Sequence, residues 1–138
     1  MKEKRKIASF HDLEVYQKAY KLSIVVMRQI VPKLPESEKF DLKDQLSRST
    51  KAVPRLIAEG YGKKHQRLGF QKYLDDAMTE INETIVSLSH TKDIYQIEPK
   101  LCTQLIREYD VLGRQVYCLS EAWDKFSYRG RKEINPNP

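Results

Sequence analysis

Residues 45–64 read QLSRSTKAVPRLIAEGYGKK, and this stretch carries an apolar stripe and a polar stripe on one predicted helix. Each residue of an α-helix advances by about 100°, so the apolar side chains of the stretch gather on one side together with Leu42. Two pairs with i,i+4 spacing, Asp44 with Arg48 and Arg55 with Glu59, fall on a neighbouring side. The apolar positions are Leu42, Leu46, Val53, Leu56 and Ile57. The pattern predicts an amphipathic helix that packs in a helical core.

This helix, predicted over residues 38–59, contains a proline and is followed by a glycine. Pro54 removes one backbone hydrogen bond and crowds the carbonyl of Thr50, at a cost of about 3 kcal/mol. We expect a kink between Thr50 and Val53; two separate helices are the alternative, which the shared apolar phase on both sides of Pro54 disfavours. Gly60 is predicted to be the left-handed residue that ends the helix, with a turn at residues 62–65.

The rest of the chain predicts three more helices and an all-α, antiparallel up-and-down four-helix bundle. The first opens at Ser9 or Asp12, which resemble a capping box, and runs to Val31 because Pro32 stops it. The third runs from Gln66 or Gly69 to about residue 90–93, and the fourth from residues 98–99 to about 126. The apolar stripe of the first helix covers about half of its circumference. This stripe is wider than packing in a lone small bundle requires. The additional apolar surface marks either a subunit interface or a helix held between two bundle neighbours.

Length and composition fit one domain without a membrane span. The chain has 138 residues, 40% hydrophobic and 32% charged, and domains most often have about 100–150 residues. We expect a bundle domain over residues 1–126 and a flexible basic tail over residues 127–138. The longest apolar run, residues 24–27, is far shorter than the roughly 20 residues that cross a bilayer. Without an apolar segment after the basic start, the protein is expected in the cytosol.

Four segments together resemble a known family. They are FHDLEVYQKAYKL at residues 10–22, QLSRS at 45–49, IAEGYGK at 57–63 and FQKYLDDAMTEINETI at 70–85. The chain is similar over residues 10–123 to bacterial four-helix-bundle proteins first described as encoded in intervening sequences of 23S ribosomal RNA genes. The family is similar in fold to accessory proteins of diversity-generating retroelements. The resemblance implies a ring-like homopentamer with a role in nucleic-acid binding.

Single residues of the family's pattern carry over to this chain, and others depart from it. The family's arginine matches Arg48, and its two glutamates match Glu59 and Glu83. Pro54-Arg55 replaces a small residue and asparagine, and Thr79-Glu80 replaces glycine and serine in the third helix. The first departure bears on the helix geometry near the matched charges. The second bears on how closely another helix can approach the third helix.

The charged side chains of the second and third helices are predicted to form inter-helix ion pairs. If the two helices fold back at residues 62–65, Glu80 and Glu83 come within reach of Arg48. A guanidinium group suits bidentate pairing with a carboxylate in a poorly solvated seam. The predicted set is Arg48, Arg55, Glu59, Glu80 and Glu83. Such pairs set helix register, and a ligand or RNA-phosphate contact is the alternative role.

Motifs for catalysis and for cofactor or metal binding are not found in the sequence. His11, His65 and His90 form neither the Glu-x-x-His pattern of di-iron bundles nor the HExxH pattern of zinc proteases. The glycines of GYGKK follow a helix, whereas a phosphate-binding loop precedes one. Cys102 and Cys118 are separated by about 24 Å along one helix, which excludes a disulfide between them. We therefore expect no cofactor, no metal and no enzymatic activity.

The remaining functional signal is electrostatic, with a formal net charge of +6 and a pI near 9.3. In an up-and-down bundle the chain start, the second connection and the chain end share one pole, where the excess cations concentrate. They are Lys4, Arg5, Lys6, Lys63, Lys64, Arg67, Arg129 and Arg131. Repeated around an oligomer, this basic pole would attract phosphates, and Tyr61 and Tyr128 would add stacking surface. The alternative is a protein-interaction scaffold or accessory subunit without nucleic-acid contact.

Overall fold

The computed structural model describes the backbone of residues 7–134 and the side chains of residues 7–123. Within this part the chain contains no strand and four α-helices: α1 (Glu14–Val25), α2 (Leu42–Gly62), α3 (Gly69–Tyr95) and α4 (Pro99–Ile134). Each helix packs against its neighbours in sequence, and α1 also packs against α4. The all-α class and the four-helix count are therefore confirmed.

The core lies where the apolar periodicity predicts it. Leu46 and Ile57 of α2 are fully buried, as is Leu74 of α3, and Ile81 is 1% exposed. Each such side chain contributes about 1.5–3 kcal/mol of hydrophobic stabilisation. On α4 the buried side chains are spaced by four, three and four residues; they are Leu105, Tyr109, Leu112 and Val116. On α2, the predicted polar side carries Asp44, Arg48, Arg55 and Glu59, and all four are exposed.

The first predicted helix is divided into several segments. Ser9 forms the predicted capping box with Asp12, but it caps a short 3₁₀ helix, Phe10–Asp12, and the extended residue Leu13 separates this turn from α1. At the other end, α1 passes into a π-helical turn, Val26–Ile30, and then into a 3₁₀ turn, Val31–Lys33, that contains Pro32. The missing N–H of Pro32 ends regular α-helical bonding, and the chain adapts by changing helix type rather than by stopping at Val31.

The second helix is continuous through Pro54, which settles the alternative of two separate helices. It begins at Leu42, because residues 36–38 form a separate 3₁₀ turn. The prediction that Gly60 is left-handed is wrong, since α2 continues to Gly62 and none of the described glycines has a positive φ. A Cβ atom at Gly60 would lie 2.5 Å from Cβ of Tyr73. Gly60 therefore serves the close approach of α2 and α3.

The third and fourth helices are longer than predicted. α3 begins at Gly69 and ends at Tyr95, where Gln96 takes the left-handed conformation with φ of 54° and closes the helix by bonding to the carbonyl of Lys92. α4 begins at Pro99, within the predicted start at residues 98–99, and its backbone is helical to Ile134. The predicted end near residue 126 is therefore eight residues short.

Candidate functional site

The connection between α2 and α3 presents a compact group of cations. Lys63, Lys64 and Arg67 are all exposed, and they lie within the six residues that join Gly62 to Gly69. We call this group the basic corner. The ammonium nitrogen of Lys64 lies 4.0 Å from the centroid of the Tyr61 ring, a cation–π distance. This ring engages the charge of Lys64, so Lys63 and Arg67 are the cations of the corner that are more available to a ligand.

An aromatic cluster anchors the basic corner to the bundle. The ring centroid of Phe70, at the start of α3, lies 5.0 Å from that of Trp123 on α4 and 5.9 Å from that of Tyr61. Each ring meets the next edge to face, a favoured arrangement for aromatic pairs. Gly69 permits the tight turn, since a Cβ there would lie 2.2 Å from the carbonyl oxygen of Lys63. The cluster also brings α4 beside the α2–α3 connection.

Part of the predicted basic pole lies outside the described residues. Lys4, Arg5 and Lys6 precede residue 7, and the side chains of Arg129 and Arg131 are beyond residue 123. The side chain of Tyr128 is also beyond residue 123. The prediction of a stacking role for Tyr61 is wrong, because its side chain packs in the aromatic cluster and the residue is only 9% exposed. Its phase on α2 places it at the core side of the helix end.

The predicted ion pairs of Arg48 with Glu80 or Glu83 are not formed. Arg48 instead pairs with Asp44 on the same helix, at 3.5 Å between Nη1 and Oδ2, and its side chain is 79% exposed. In water the gain from reaching across to α3 is small, and the i,i+4 pair requires less ordering of the side chain. In the described part of the chain, Arg55 and Glu59 make no direct ion pair with each other either.

The same charged residues nevertheless share one surface between α2 and α3. Partial burial and the adjacent Glu83 raise the pKa of the Glu80 carboxyl, while the positive charges of Arg48 and Arg55 act in the opposite direction. The two arginines are thus close enough to Glu80 to influence its protonation without a direct bridge. This surface carries charges of both signs, in contrast to the basic corner.

A layer of buried hydroxyl groups was not predicted. Oγ1 of Thr84 on α3 donates to Oγ of Ser49 on α2 at 2.8 Å and also contacts the carbonyl of Glu80. Next to it, Thr50 shares a hydrogen bond with the hydroxyl of Tyr109 on α4. We call these four residues the hydroxyl layer. Small polar residues in the apolar phase of α2 and α3 are the signal in the sequence that could have indicated this layer.

No three histidine, cysteine or acidic side chains in the described part of the chain come together in a way that would hold a metal ion. Cys102 is buried, and burial raises the pKa of its thiol, whereas Cys118 is exposed. A shallow groove of about 400 Å³ between α1 and α4 is lined by Glu14, Lys18, Lys21 and Glu108. Its walls carry both signs of charge, and Lys18 and Glu108 pair at 3.2 Å.

The fold and the basic corner define a small helical-bundle protein with a cationic surface at one end. None of the helices in the described part is long and apolar enough to cross a membrane. A family model described as 23S rRNA-intervening sequence protein matches residues 11–118. The chain therefore belongs to this family, as its resemblance over residues 10–123 indicated. A search of curated proteins finds no match.

Proposed function

We propose that this protein is a non-enzymatic, oligomeric helical bundle that acts in the cytosol and binds RNA or DNA through its basic pole. The observation that carries the proposal is the basic corner, where three exposed cations stand on an aromatic cluster. Membership in a family described by its origin in ribosomal RNA genes supports an RNA-related role. The net charge of +6 favours association with polyanions.

The basic pole depends on an antiparallel up-and-down order of the helices, which pairs of contacts support. Gly60 lies beside Tyr73, whereas Ser49, earlier in α2, bonds to Thr84, later in α3. Phe70 at the start of α3 meets Trp123, whereas Ile81 faces Gly113, earlier in α4. In this order the later part of α4 lies beside the α2–α3 connection, where Trp123 meets Tyr61 and Phe70.

The oligomer would repeat the basic corner around a ring. Tyr20 of α1 is 51% exposed in the single chain, although α1 already contacts both α2 and α4. A helix between two bundle neighbours therefore accounts for part of its wide apolar stripe, and the remainder is available to another molecule. The family resemblance implies five copies.

The dependence of binding on salt tests the proposed function. We would measure the affinity of the wild-type protein for a labelled RNA strand across a salt series and compare the triple variant Lys63→Ala/Lys64→Ala/Arg67→Ala. Each phosphate contact contributes about 0.7–0.9 to the slope of log K against log salt, so the triple variant should lower the slope by about 2–3. The matched control is Lys39→Ala/Lys51→Ala/Lys100→Ala, which removes the same charge from exposed positions elsewhere.

Equal slopes for the two triple variants would show that the basic corner is not the binding surface. Retention of binding by the wild type at several hundred millimolar salt would contradict the electrostatic mechanism.

The second candidate function is a protein-interaction scaffold, favoured by large apolar side chains near the opposite pole: Phe40 is 89% exposed and Ile94 is 61% exposed. Failure of the wild type to bind any nucleic acid at low salt would leave this second candidate.

A further inference from the structure

The turn before α2 presents a phenylalanine ring to solvent. Phe40 is 89% exposed, and it lies between Lys39 and Asp41, which are exposed as well. We call these three residues the Phe40 turn. The ammonium nitrogen of Lys39 lies 5.6 Å from the centroid of the Phe40 ring. Because so little of this ring is covered by its own chain, its burial against another molecule would be favourable.

Hydrogen bonds hold the Phe40 turn in place. The N–H of Lys39 donates to the carbonyl of Glu36, and the N–H of Asp41 donates to the carbonyl of Glu38, both at 3.0 Å. The carboxylate of Glu38 also accepts a hydrogen bond from the hydroxyl of Tyr95 at the end of α3. The ring therefore stands on an ordered segment, and a partner that buries it would lose little free energy in ordering the chain.

The groove between α1 and α4 offers a surface of complementary chemistry. Its lining includes Leu22, which is 8% exposed, and the ion pair of Lys18 with Glu108. The two remaining charged residues of the lining are Glu14 and Lys21. Both are exposed, and neither forms an ion pair with another residue of the described part of the chain. The groove thus has an available anion and an available cation.

The Phe40 turn and the groove match in the order of their groups. Glu14 and Lys21 stand two turns apart on α1, about 10.5 Å along the helix axis, with Leu22 and the stem of Lys18 beside them. The turn carries a cation, an apolar ring and an anion in succession. The Cα atoms of Lys39 and Asp41 are at most about 7 Å apart, and the long side chain of Lys39 extends the reach of its charge.

We propose that the Phe40 turn of one copy of this chain docks in the α1–α4 groove of a second copy, with Lys39 beside Glu14 and Asp41 beside Lys21. The inference rests on the proposed oligomer and names its contact surfaces. Lys21 directly follows Tyr20, so the groove adjoins the exposed part of α1 that is available to another molecule. Since the turn and the groove are different surfaces, the contact can repeat around a ring.

Mixing two variants tests this contact. Phe40→Ala removes the ring and keeps the groove, whereas Glu14→Lys/Lys21→Glu reverses the charges of the groove and keeps the turn and the net charge. Each change should raise the dissociation constant between copies by about 30-fold, so light scattering of either variant alone should give a mass closer to that of one chain. An equimolar mixture should give twice the 16.3 kDa of one chain, because one intact turn then meets one intact groove.

A charge swap and a matched control complete the test. Glu14→Lys alone should weaken assembly, since it places a cation opposite Lys39, and Lys39→Glu in the same chain should restore it. Tyr117→Ala is the control for loss of an exposed ring, because Tyr117 is 56% exposed on α4. This variant should assemble as the wild type does.

Wild-type mass for both variants, or a mixture without a gain in mass, would overturn the inference. If the wild type still assembles and binds RNA through the basic corner in that case, the proposed function stays intact. A monomeric wild type would overturn both the inference and the oligomeric part of the proposed function. A wild type that assembles through the turn and the groove but binds no nucleic acid would support the inference and overturn the role of the basic pole.

Discussion

Tyr109 is the largest fully buried side chain of the described core, and its hydroxyl is satisfied by Thr50. An unpaired hydroxyl in this position would retain the cost of leaving water, about 1–3 kcal/mol. The sequence reveals that Tyr109 belongs to the apolar stripe of α4, but not that its hydroxyl needs a partner on α2. The pairing depends on how α2 and α4 face each other.

The Thr50–Tyr109 pair predicts unequal effects of removing its two members. Thr50→Val leaves the Tyr109 hydroxyl without its hydrogen-bond partner in the core and should lower the free energy of unfolding by about 1–3 kcal/mol. Tyr109→Phe should cost less, about 1 kcal/mol, since a threonine hydroxyl in a helix can turn to a carbonyl one turn earlier. The double variant should lose less than the sum of the single losses. Urea unfolding measures all three, and additive losses would contradict the coupling.

Tyr109 also predicts a loss of stability at high pH. Burial raises its pKa from 10.0 to about 12, against the opposing effect of the hydrogen bond with Thr50. Between these values the unfolded chain releases the phenol proton while the folded chain keeps it, so the free energy of unfolding falls by about 1.4 kcal/mol per pH unit as pH rises. Below pH 10 this contribution is fully retained. Urea unfolding at about pH 9 and about pH 11 should show a steeper loss for the wild type than for Tyr109→Phe; parallel losses would exclude Tyr109 as the source.

At the level of the helices, the contact of α2 with α3 depends on Gly60. Glycine after an amphipathic stretch is as consistent with a helix end as with a close helix contact, and the sequence does not separate these two uses. The structure does, because the nearest obstacle to a side chain at Gly60 is Cβ of Tyr73 at 2.5 Å. This atom is fixed to the backbone of α3, so the helices themselves would have to separate.

Two glycines two residues apart therefore predict opposite effects of one substitution. Gly60→Ala should destabilise the protein by about 1–3 kcal/mol because the added methyl group overpacks the α2–α3 contact. Gly62→Ala should stabilise it by about 0.5–1 kcal/mol, since the position is helical, has no positive φ and has nothing within 4 Å of the new Cβ. Thermal unfolding of both variants checks the signs. A destabilised Gly62→Ala variant would show that the end of α2 is not helical in solution.

The sequence predicts the helices better than the interactions between their polar side chains. Apolar periodicity locates the core faces of α2, α3 and α4, because burial of a continuous stripe determines which side of a helix turns inward. Apolar periodicity does not predict the partner of Arg48, because exposed ion pairs with Asp44 and with a carboxylate of α3 differ little in free energy. Nor does it reveal the π-helical turn at Val26–Ile30, which depends on how the chain enters the connection to α2.

At the scale of the whole molecule, the exposed part of α1 predicts self-association. Light scattering at micromolar concentration should give a mass several times the 16.3 kDa of one chain. Tyr20→Ala should lower this mass if the exposed part of α1 contributes to the contact between copies. A strictly monomeric protein would remove the ring from the proposed function and leave each basic corner to act alone.

The functional surface is less predictable than the fold because it depends on exposure. The charges of Lys63, Lys64 and Arg67 and their common turn follow from the sequence. The burial of Tyr61 does not, since it depends on packing against Phe70 and Trp123 from two other helices. The sequence therefore does not distinguish the buried Tyr61, which is 9% exposed, from Tyr20, which is 51% exposed.

The hydroxyl layer has a consequence for how this chain can change over time. Aliphatic positions above and below it can trade volume with one another, since apolar contacts are undirected and cores tolerate repacking. The hydroxyl layer lacks that freedom, because each of its hydroxyl groups is hydrogen-bonded to one on another helix. The pairs are Ser49 with Thr84 and Thr50 with Tyr109. Two substitutions that remove both members of a pair should therefore cost less than the sum of the single losses. A sliding of α2 by one turn would also orphan these groups, so the layer acts as a stop that keeps the helices from settling into a shifted alignment.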